Sequence, residues 1–165
     1  MRRVDPNAHR GVLQRSLATA AGSRFATWLA RRWIWGAIVW PLDRLLLRVS
    51  GGRIATGLVL PTVLLQTRGA RTGRMRASAV LYFHDGELVT IVASKAGRPG
   101  NPSWFHNACA NPDVMLGGEP YRAHVVEDAG ERERLWQLAD RVFPGFVIYR
   151  SRAGREIPIL QLERR

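Results

Sequence analysis

The dipeptide Asp85-Gly86 limits the fold of this chain more than any other short stretch. Strand-forming residues precede it at 77–84 and follow it at 87–94. An Asp-Gly pair between two such runs is a strong signal for a two-residue turn that joins antiparallel strands. The second run is apolar almost throughout, so it is expected to lie in the middle of a sheet. The pattern therefore predicts a β-hairpin near the centre of the fold.

Further segments carry the residues of short strands, and turn signals separate them. They lie at 62–66, 114–116, 121–126 and 157–162. The middle two flank Gly117-Gly118-Glu119-Pro120, which predicts a second hairpin. Six strands that occur mostly in hairpins favour an antiparallel barrel or sheet over a parallel one.

Two helices are predicted between these strands. Asn101 is expected to cap the first, SWFHNACA, with Pro102 in its first turn. Asp128, followed by Glu131 three residues later, predicts the start of the second helix, which stops at 143–145. The expected fold class is α+β and rich in strands.

Size and composition limit the class of protein. With 165 residues, 46% of them hydrophobic, the chain can bury the core of one domain. Cys109 is the single cysteine, which excludes an internal disulfide and indicates a reducing, cytoplasmic compartment. The net charge of +12 is concentrated at the start, because residues 1–60 hold ten arginines against two aspartates.

Residues 1–57 are predicted to form a basic helical extension rich in tryptophan and arginine, and residues 58–165 the main domain. Residues 1–22 are expected to form an arm or a short helix, and Ser23–Trp40 has a helical pattern with four tryptophans. Its uncharged run of ten residues is too short to cross a bilayer, which needs roughly 20. Two interpretations stay open: the tryptophans lie in a membrane interface at the cytoplasmic face, or they pack on the domain core.

The stretch Thr67–Arg76, TRGARTGRMR, holds four arginines and two glycines but no carboxylate. It connects two predicted strands, and its glycines allow a tight turn. Forked guanidinium donors match the geometry of phosphate and carboxylate groups, which predicts an anion site. A solvated loop is the alternative that the local residues leave open. Neither a Walker loop nor the fingerprint G-x-G-x-x-G occurs, so the common nucleotide folds are not supported.

Three longer motifs follow one another along the chain: LLQTRGARTGRMR, LYFHDGELVTIVASKAGRPGNPSWFHNACANP and PGFVIYRSRAGREIPILQL. Together they resemble the deazaflavin-dependent nitroreductase family, small split β-barrel proteins related to flavin-binding oxidoreductases. The resemblance covers about residues 58–162 and implies a six-stranded antiparallel split β-barrel with inserted helices. It also implies coenzyme F(420), an 8-hydroxy-5-deazaflavin with a polyanionic tail. The implied activity is hydride transfer from the reduced coenzyme to a small lipophilic acceptor such as a quinone, an enone or a nitroaromatic compound.

The same resemblance implies which residues form the site. Those expected to hold the coenzyme tail are Arg71, Thr72, Gly73 and Arg76, with added charge from Lys95. Those expected beside the ring are Ser94, Lys95, Ala96 and Gly97, with Trp104 over the cleft. The acceptor pocket would be lined by Phe143, Phe146 and Tyr149. The hydrogen bond or proton for the acceptor would come from Tyr149, Tyr82 or Ser94.

Departures from the family pattern affect the expected affinity and substrate. Ala70 stands where known members carry an arginine, so Arg68 or Arg74 would have to supply that tail contact. Phe143 and Phe146 match tyrosines of the nitroimidazole-reducing member. Their loss of two hydroxyl groups favours apolar acceptors.

Other classes of protein compete with this expectation. An FMN-binding reductase on the same barrel would use the arginines for a single phosphate, and a non-catalytic basic protein would use the net charge at a membrane surface. No nucleic-acid motif accompanies the charge, so nucleic acid is not expected as a partner. No metal is expected, because His84, His106 and His124 lack the spacing of metal ligands. The sequence does not predict the oligomeric state.

Overall fold

The computed structural model describes residues 3–6 and 61–165. The predicted helix at 23–40, its tryptophans and most of the predicted N-terminal extension lie outside the described residues.

Six strands close into an antiparallel barrel. They are β1 (Thr62–Arg68), β2 (Met75–Asp85), β3 (Leu88–Val92), β4 (Asp113–Leu116), β5 (Glu119–Val125) and β6 (Ile159–Arg164). The order around the barrel is β1-β2-β3-β6-β5-β4, and every neighbouring pair is antiparallel. Both predicted hairpins are present, as β2–β3 and β4–β5, and the predicted barrel is confirmed. The turn of the first hairpin lies one residue later than predicted, at Gly86 and Glu87, because Asp85 is the last residue of β2 and pairs with Leu88.

The second hairpin turns more tightly than predicted. Glu119 and Pro120 belong to β5, so Gly117 and Gly118 alone form the turn. Pro120 faces Met115 of β4 in the second position of its strand. A proline is tolerated near a strand end because its missing N–H does least harm there.

Three α-helices and one short 3₁₀ turn fill the connections. The 3₁₀ turn covers Lys95–Gly97, and the helices are α1 (Ser103–Ala110), α2 (Ala129–Val142) and α3 (Gly145–Ala153). Asp128 caps α2 as predicted, since its carboxylate accepts from the Glu131 N–H at 2.7 Å. Helix α3 was not predicted, because its sequence GFVIYRSRA lacks a helical alternation of apolar and polar residues.

The predicted cap of α1 is wrong. Pro102, with ψ of 151°, is the residue before the helix, and no side chain caps the first turn. Asn101 lies one residue too early, and its Oδ1 atom is buried without a hydrogen-bond partner among the described residues. Because Pro102 is itself extended, the helix begins at Ser103, one residue later than a cap at Asn101 requires.

The barrel interior is apolar, and paired residues on neighbouring strands place their side chains at the same level along the barrel axis. Directly paired residues point to the same face, as in Val63 with Val80, Leu65 with Leu116 and Ile91 with Leu160, and all six are buried.

The outer face of β2, β3 and β6 is buried as well. Phe83 and Thr90 are paired there and are 1% and 0% exposed. Helix α2 is tied to this face by an ion pair between Arg134 and Asp85 at the end of β2. This surface therefore forms a second layer of the core, between the barrel and the α2–α3 pair.

Strand direction decides which loops share an end of the barrel. Because the strands alternate in direction, the β1–β2 loop, the end of β3 and the start of β6 lie at one end. The β2–β3 turn lies at the other end. Residues 3–6 lie against that second end rather than forming a helix, and the His84 N–H donates to the Val4 carbonyl at 2.8 Å. In the described part of the chain, no helix is both long enough and apolar enough to span a membrane.

Candidate functional site

Residues 69–74, here called the arginine turn, connect β1 to β2 at one end of the barrel. The Gly69 N–H donates to the Arg74 carbonyl at 2.9 Å, and the Gly73 N–H donates to the Gly69 carbonyl at 2.8 Å. A Cβ atom on Gly69 would lie 2.8 Å from Thr72 Oγ1 and 3.1 Å from the Arg74 carbonyl oxygen. A side chain at position 69 would therefore be crowded, and the tight turn favours glycine there.

The arginines of this region present their charge to solvent. Arg68, Arg71, Arg74 and Arg76 are all exposed. Ion pairs in the described part of the chain involve other arginines, and none of these four takes part in one. Unpaired guanidiniums on a closed turn suit a ligand that carries several negative charges.

Asn107 of α1 holds the arginine turn, and the sequence prediction missed it. Its Oδ1 accepts from the Ala70 N–H at 3.0 Å, and its Nδ2 donates to Thr67 Oγ1 at 3.1 Å. Asn107 is 9% exposed and Thr67 is fully buried. The polar residue three positions after Trp104, on the buried face of a short helix, was the signal that could have identified it.

A second turn follows β3 at the same end of the barrel. Lys95, Ala96 and Gly97 have φ of 49°, 55° and 72°, so three successive residues adopt the left-handed region. The Gly97 N–H closes the turn onto the Ser94 carbonyl at 2.9 Å. Non-glycine residues in this region cost of order 1–3 kcal/mol each, and such strain concentrates at functional sites. The Lys95 ammonium donates to the Pro99 carbonyl at 2.9 Å.

The β2–β3 register relates the two turns. The two strands pair from Tyr82 with Ile91 to Asp85 with Leu88, so they are neighbours in the barrel. The arginine turn precedes β2, and the Ser94–Gly97 turn follows β3. Both turns therefore lie at the same end of the barrel, on neighbouring strands.

An aromatic cluster adjoins the Ser94–Gly97 turn and consists of Phe143, directly after α2, and of Phe146 and Tyr149 on α3. The ring centroids of Phe143 and Phe146 are 5.2 Å apart, and those of Tyr149 lie 5.7 Å and 6.1 Å from them. A Cβ atom on Gly97 would come within 3.0 Å of the Tyr149 backbone, so the turn packs directly on α3.

The phenol of Tyr149 is kept in its neutral form by burial. Burial raises its pKa above the ordinary value, and the positive charge of Arg152 opposes this only in part. The hydroxyl group therefore stays protonated at neutral pH and can donate a hydrogen bond.

Two predicted site residues lie in other surroundings. Tyr82 is 5% exposed inside the barrel, where its ring meets the edge of His84 at a centroid distance of 5.8 Å. Trp104 is 8% exposed on the buried face of α1, together with Asn107. The structure thus brings the Ser94–Gly97 turn against Tyr149 and its aromatic cluster. Tyr82, Trp104 and also Phe146, which is 2% exposed, have positions in the core.

Metal-binding side chains do not gather in the part of the chain that the structure describes. No group of three His, Cys, Asp or Glu residues occurs there at distances that would hold a metal ion.

The fold and these two turns define a small antiparallel-barrel protein that presents exposed arginines at one end of the barrel. The F(420)H2-dependent quinone reductase family matches residues 43–164, and the chain belongs to that family. The resemblance noted from the sequence is therefore confirmed, together with the barrel fold and the enzyme class.

Several known proteins are similar to the chain. An F(420)H2-dependent quinone reductase of Mycobacterium tuberculosis (strain ATCC 25618 / H37Rv) is 37% identical over 126 residues, which cover 72% of this chain and 85% of that protein. A solved structure of an F(420)H2-dependent reductase is 34% identical with a TM-score of 0.56, covering 62% of this chain and 94% of that one. A second structure, described as a domain-swapped dimer, is 31% identical with a TM-score of 0.58, covering 75% and 97%.

The residues present fit the coenzyme that the family implies. Coenzyme F(420) carries a phosphodiester and a chain of glutamates, so it needs several cationic donors. The exposed guanidiniums of Arg68, Arg71, Arg74 and Arg76 supply such a set, with the Thr72 hydroxyl group in the same loop. The predicted cofactor agrees with the chemistry of the described donors.

Proposed function

We propose that the protein reduces a small lipophilic quinone with a hydride from reduced coenzyme F(420). The observation that carries this proposal is the pair of turns at one barrel end, one rich in unpaired arginines and one strained beside an aromatic cluster. The arginine turn suits the anionic tail of the coenzyme, and the Ser94–Gly97 turn suits its planar ring together with the hydride acceptor.

The coenzyme tail is assigned to the arginine turn and its flanks. Arg71 and Arg76 give forked charge-assisted hydrogen bonds, Thr72 adds a hydroxyl, and Lys95 adds charge from the neighbouring turn. Gly73, whose own N–H closes the turn onto the Gly69 carbonyl, lets the backbone approach the tail because it has no side chain. Asn107 keeps the turn in place through Ala70.

The reacting groups are assigned to the second turn and α3. When bound, the reduced deazaflavin supplies the hydride. Ser94, Ala96 and Gly97 orient the ring, while Phe143 and Phe146 exclude water from the acceptor. The Tyr149 hydroxyl donates a hydrogen bond to the acceptor oxygen, where negative charge develops. Tyr149 is preferred over Tyr82 because it adjoins Gly97, whereas Tyr82 lies inside the barrel.

The tail assignment is tested by replacing Arg71 and Arg76 together with alanine. Charge-assisted contacts of about 1.5–3 kcal/mol each predict a loss of roughly a hundredfold or more in coenzyme affinity. Arg164→Ala is the matched control, since it removes one arginine that pairs with Glu119 at the other barrel end. Unchanged affinity in the folded double variant would refute the assignment.

The cofactor and acceptor are tested by titration and turnover. Spectral titration with coenzyme F(420) and with FMN should show preference for the deazaflavin, and tighter FMN binding would favour the competing reductase. Turnover of reduced coenzyme should be faster with quinones than with nitroimidazoles, because the pocket carries Phe143 and Phe146 in place of two hydroxyl groups. Equal or faster nitroimidazole reduction would contradict the acceptor class.

A cytoplasmic location at the inner membrane face is proposed from charge alone. Residues 1–60 carry ten arginines against two aspartates, and basic residues near an anionic surface contribute on the order of 1 kcal/mol each. Most of these residues lie outside the described part of the chain. The full-length protein should sediment with anionic vesicles at low salt and be released at high salt. Failure to sediment at low salt would exclude this location.

A further inference from the structure

We propose that Asn107 is a positioning residue for recognition of the anionic tail, acting through Ala70 and Thr67. This inference rests on the proposed function, because it explains how the arginine turn is held for its ligand. It adds a residue that does not itself need to touch the coenzyme.

The side chain of Asn107 connects three elements that are distant in sequence. It extends from α1 to the Ala70 N–H in the turn, 37 residues earlier, and to Thr67 Oγ1 at the end of β1, 40 residues earlier. Both distances, 3.0 Å and 3.1 Å, lie in the range of good hydrogen bonds. The amide is buried, so loss of either bond leaves a polar group without water to replace it.

The internal hydrogen bonds of the turn do not set its orientation on the barrel. The bonds from Gly69 N–H and Gly73 N–H join residues within the turn, so they close it on itself. The Ala70 bond to Asn107 fixes the backbone directly before Arg71 relative to α1. It therefore limits where the Arg71 guanidinium can reach.

Fixing the backbone of an exposed turn raises affinity by reducing the disorder that binding has to remove. A loosened turn would still carry its arginines, but fewer of them would meet the tail at once. Loosening the turn should therefore lower the preference for a coenzyme that carries the tail over a deazaflavin that lacks it. It should leave the chemistry at the ring unchanged.

The measured quantity is the tail preference. It is the dissociation constant of a deazaflavin that carries only the ribityl chain, divided by that of coenzyme F(420). Asn107→Ala is expected to lower this ratio about tenfold, which corresponds to about 1.4 kcal/mol. The KM for coenzyme F(420) should rise while kcat at saturating coenzyme changes by less than about twofold.

Thr67 provides a matched pair of variants for the same contact. Thr67→Val keeps the volume but removes the hydroxyl that anchors Asn107, so the tail preference should fall. Thr67→Ser keeps the hydroxyl and should retain it. Asn111→Ala is the control from the same helix end, because its amide lies 3.5 Å from the Arg68 carbonyl, too far for a strong bond.

The outcomes separate the inference from the proposed function. If the unmodified protein shows no tail preference, the tail assignment is wrong and the inference is overturned with it. If the Arg71 and Arg76 variants lose the preference while folded Asn107→Ala keeps it, the proposed function stands and Asn107 is not a positioning residue. If Asn107→Ala weakened the binding of coenzyme F(420) and of the tail-less deazaflavin equally, the substitution would have disturbed the whole site, and the inference would also be overturned. If Asn107→Ala does not fold, the comparison of Thr67→Val with Thr67→Ser decides.

Discussion

Replacing Gly97 with alanine tests the contact between the Ser94–Gly97 turn and α3. Gly97 has φ of +72°, and a Cβ atom there would lie 3.0 Å from both Cα and the carbonyl oxygen of Tyr149, and 3.3 Å from Arg152 Cβ. The two closest atoms belong to the helix backbone, so rotation of a side chain cannot relieve the overlap. The turn or α3 would have to move.

The cost can be divided into two parts. An L-residue in the left-handed region costs about 1–2 kcal/mol, and overpacking of a closed contact adds about 1–3 kcal/mol. The free energy of unfolding should therefore fall by about 2–5 kcal/mol in Gly97→Ala. Gly154→Ala is the matched control, because its φ is +61° but no atom lies within 4 Å of the added Cβ. That variant should lose only about 1–2 kcal/mol.

Urea denaturation and quinone-reduction kinetics on both variants provide the test. Gly97→Ala should be the less stable and should lose kcat/KM, because displacement of Tyr149 moves its hydroxyl away from the acceptor. Gly154→Ala should keep nearly full activity. Equal destabilisation of the two variants, or full activity in Gly97→Ala, would refute the reasoning.

Three other properties can be measured directly. Burial, followed by the charge of Arg3, lowers the pKa of His84, whose Nδ1 accepts from the Val4 N–H. The imidazole of His84 therefore takes up a proton more readily in the unfolded chain than in the folded one. The contribution of His84 to the free energy of unfolding should be present above the ordinary pKa of 6.5 and be lost as the pH falls through the lower pKa of the folded state. His84→Asn should make the free energy of unfolding less dependent on pH in this range. Asp128→Ala should cost about 0.5–2 kcal/mol in urea denaturation by removing the α2 cap, and an unchanged midpoint would contradict the capping role. The affinity for coenzyme F(420) should weaken between about 0.05 and 0.5 M salt, because exposed guanidiniums are screened, whereas affinity for the tail-less deazaflavin should not change.

The sequence predicts those features that depend on residues close together in the chain. The Asp85-Gly86 signal located a tight turn to within one residue, since the turn is formed by Gly86 and Glu87, and the flanking runs form β2 and β3 because the turn makes them neighbours. Asp128 accepts from the Glu131 N–H because both groups lie within one helical turn. The arginine turn was located by its composition alone.

The missed features depend on contacts between distant segments. Asn107 bonds to residues 37 and 40 positions away, and a single sequence does not show such pairs. Helix α3 has Val147 and Ile148 exposed at 52% and 47%, which no amphipathic pattern predicts. The ring centroids of Phe146 on α3 and Trp136 on α2 are 5.9 Å apart, and this contact with α2 stabilises α3. The left-handed Ala96 was missed because alanine carries no local preference for that conformation.

The two turns are held by separate helices, and in the proposed function this separates binding of the coenzyme tail from the chemistry at the ring. Helix α1 contacts the arginine turn through Asn107, while α3 packs on Gly97 and carries Tyr149. The β2–β3 hairpin lies between the two turns, and its register cannot slip by one residue without moving every buried side chain to the wrong face. In the proposed function, the distance from the tail to the ring is therefore set by the barrel. A change in the aromatic cluster, such as Phe143 in place of a tyrosine, is then expected to alter the acceptor without loosening the hold on the coenzyme.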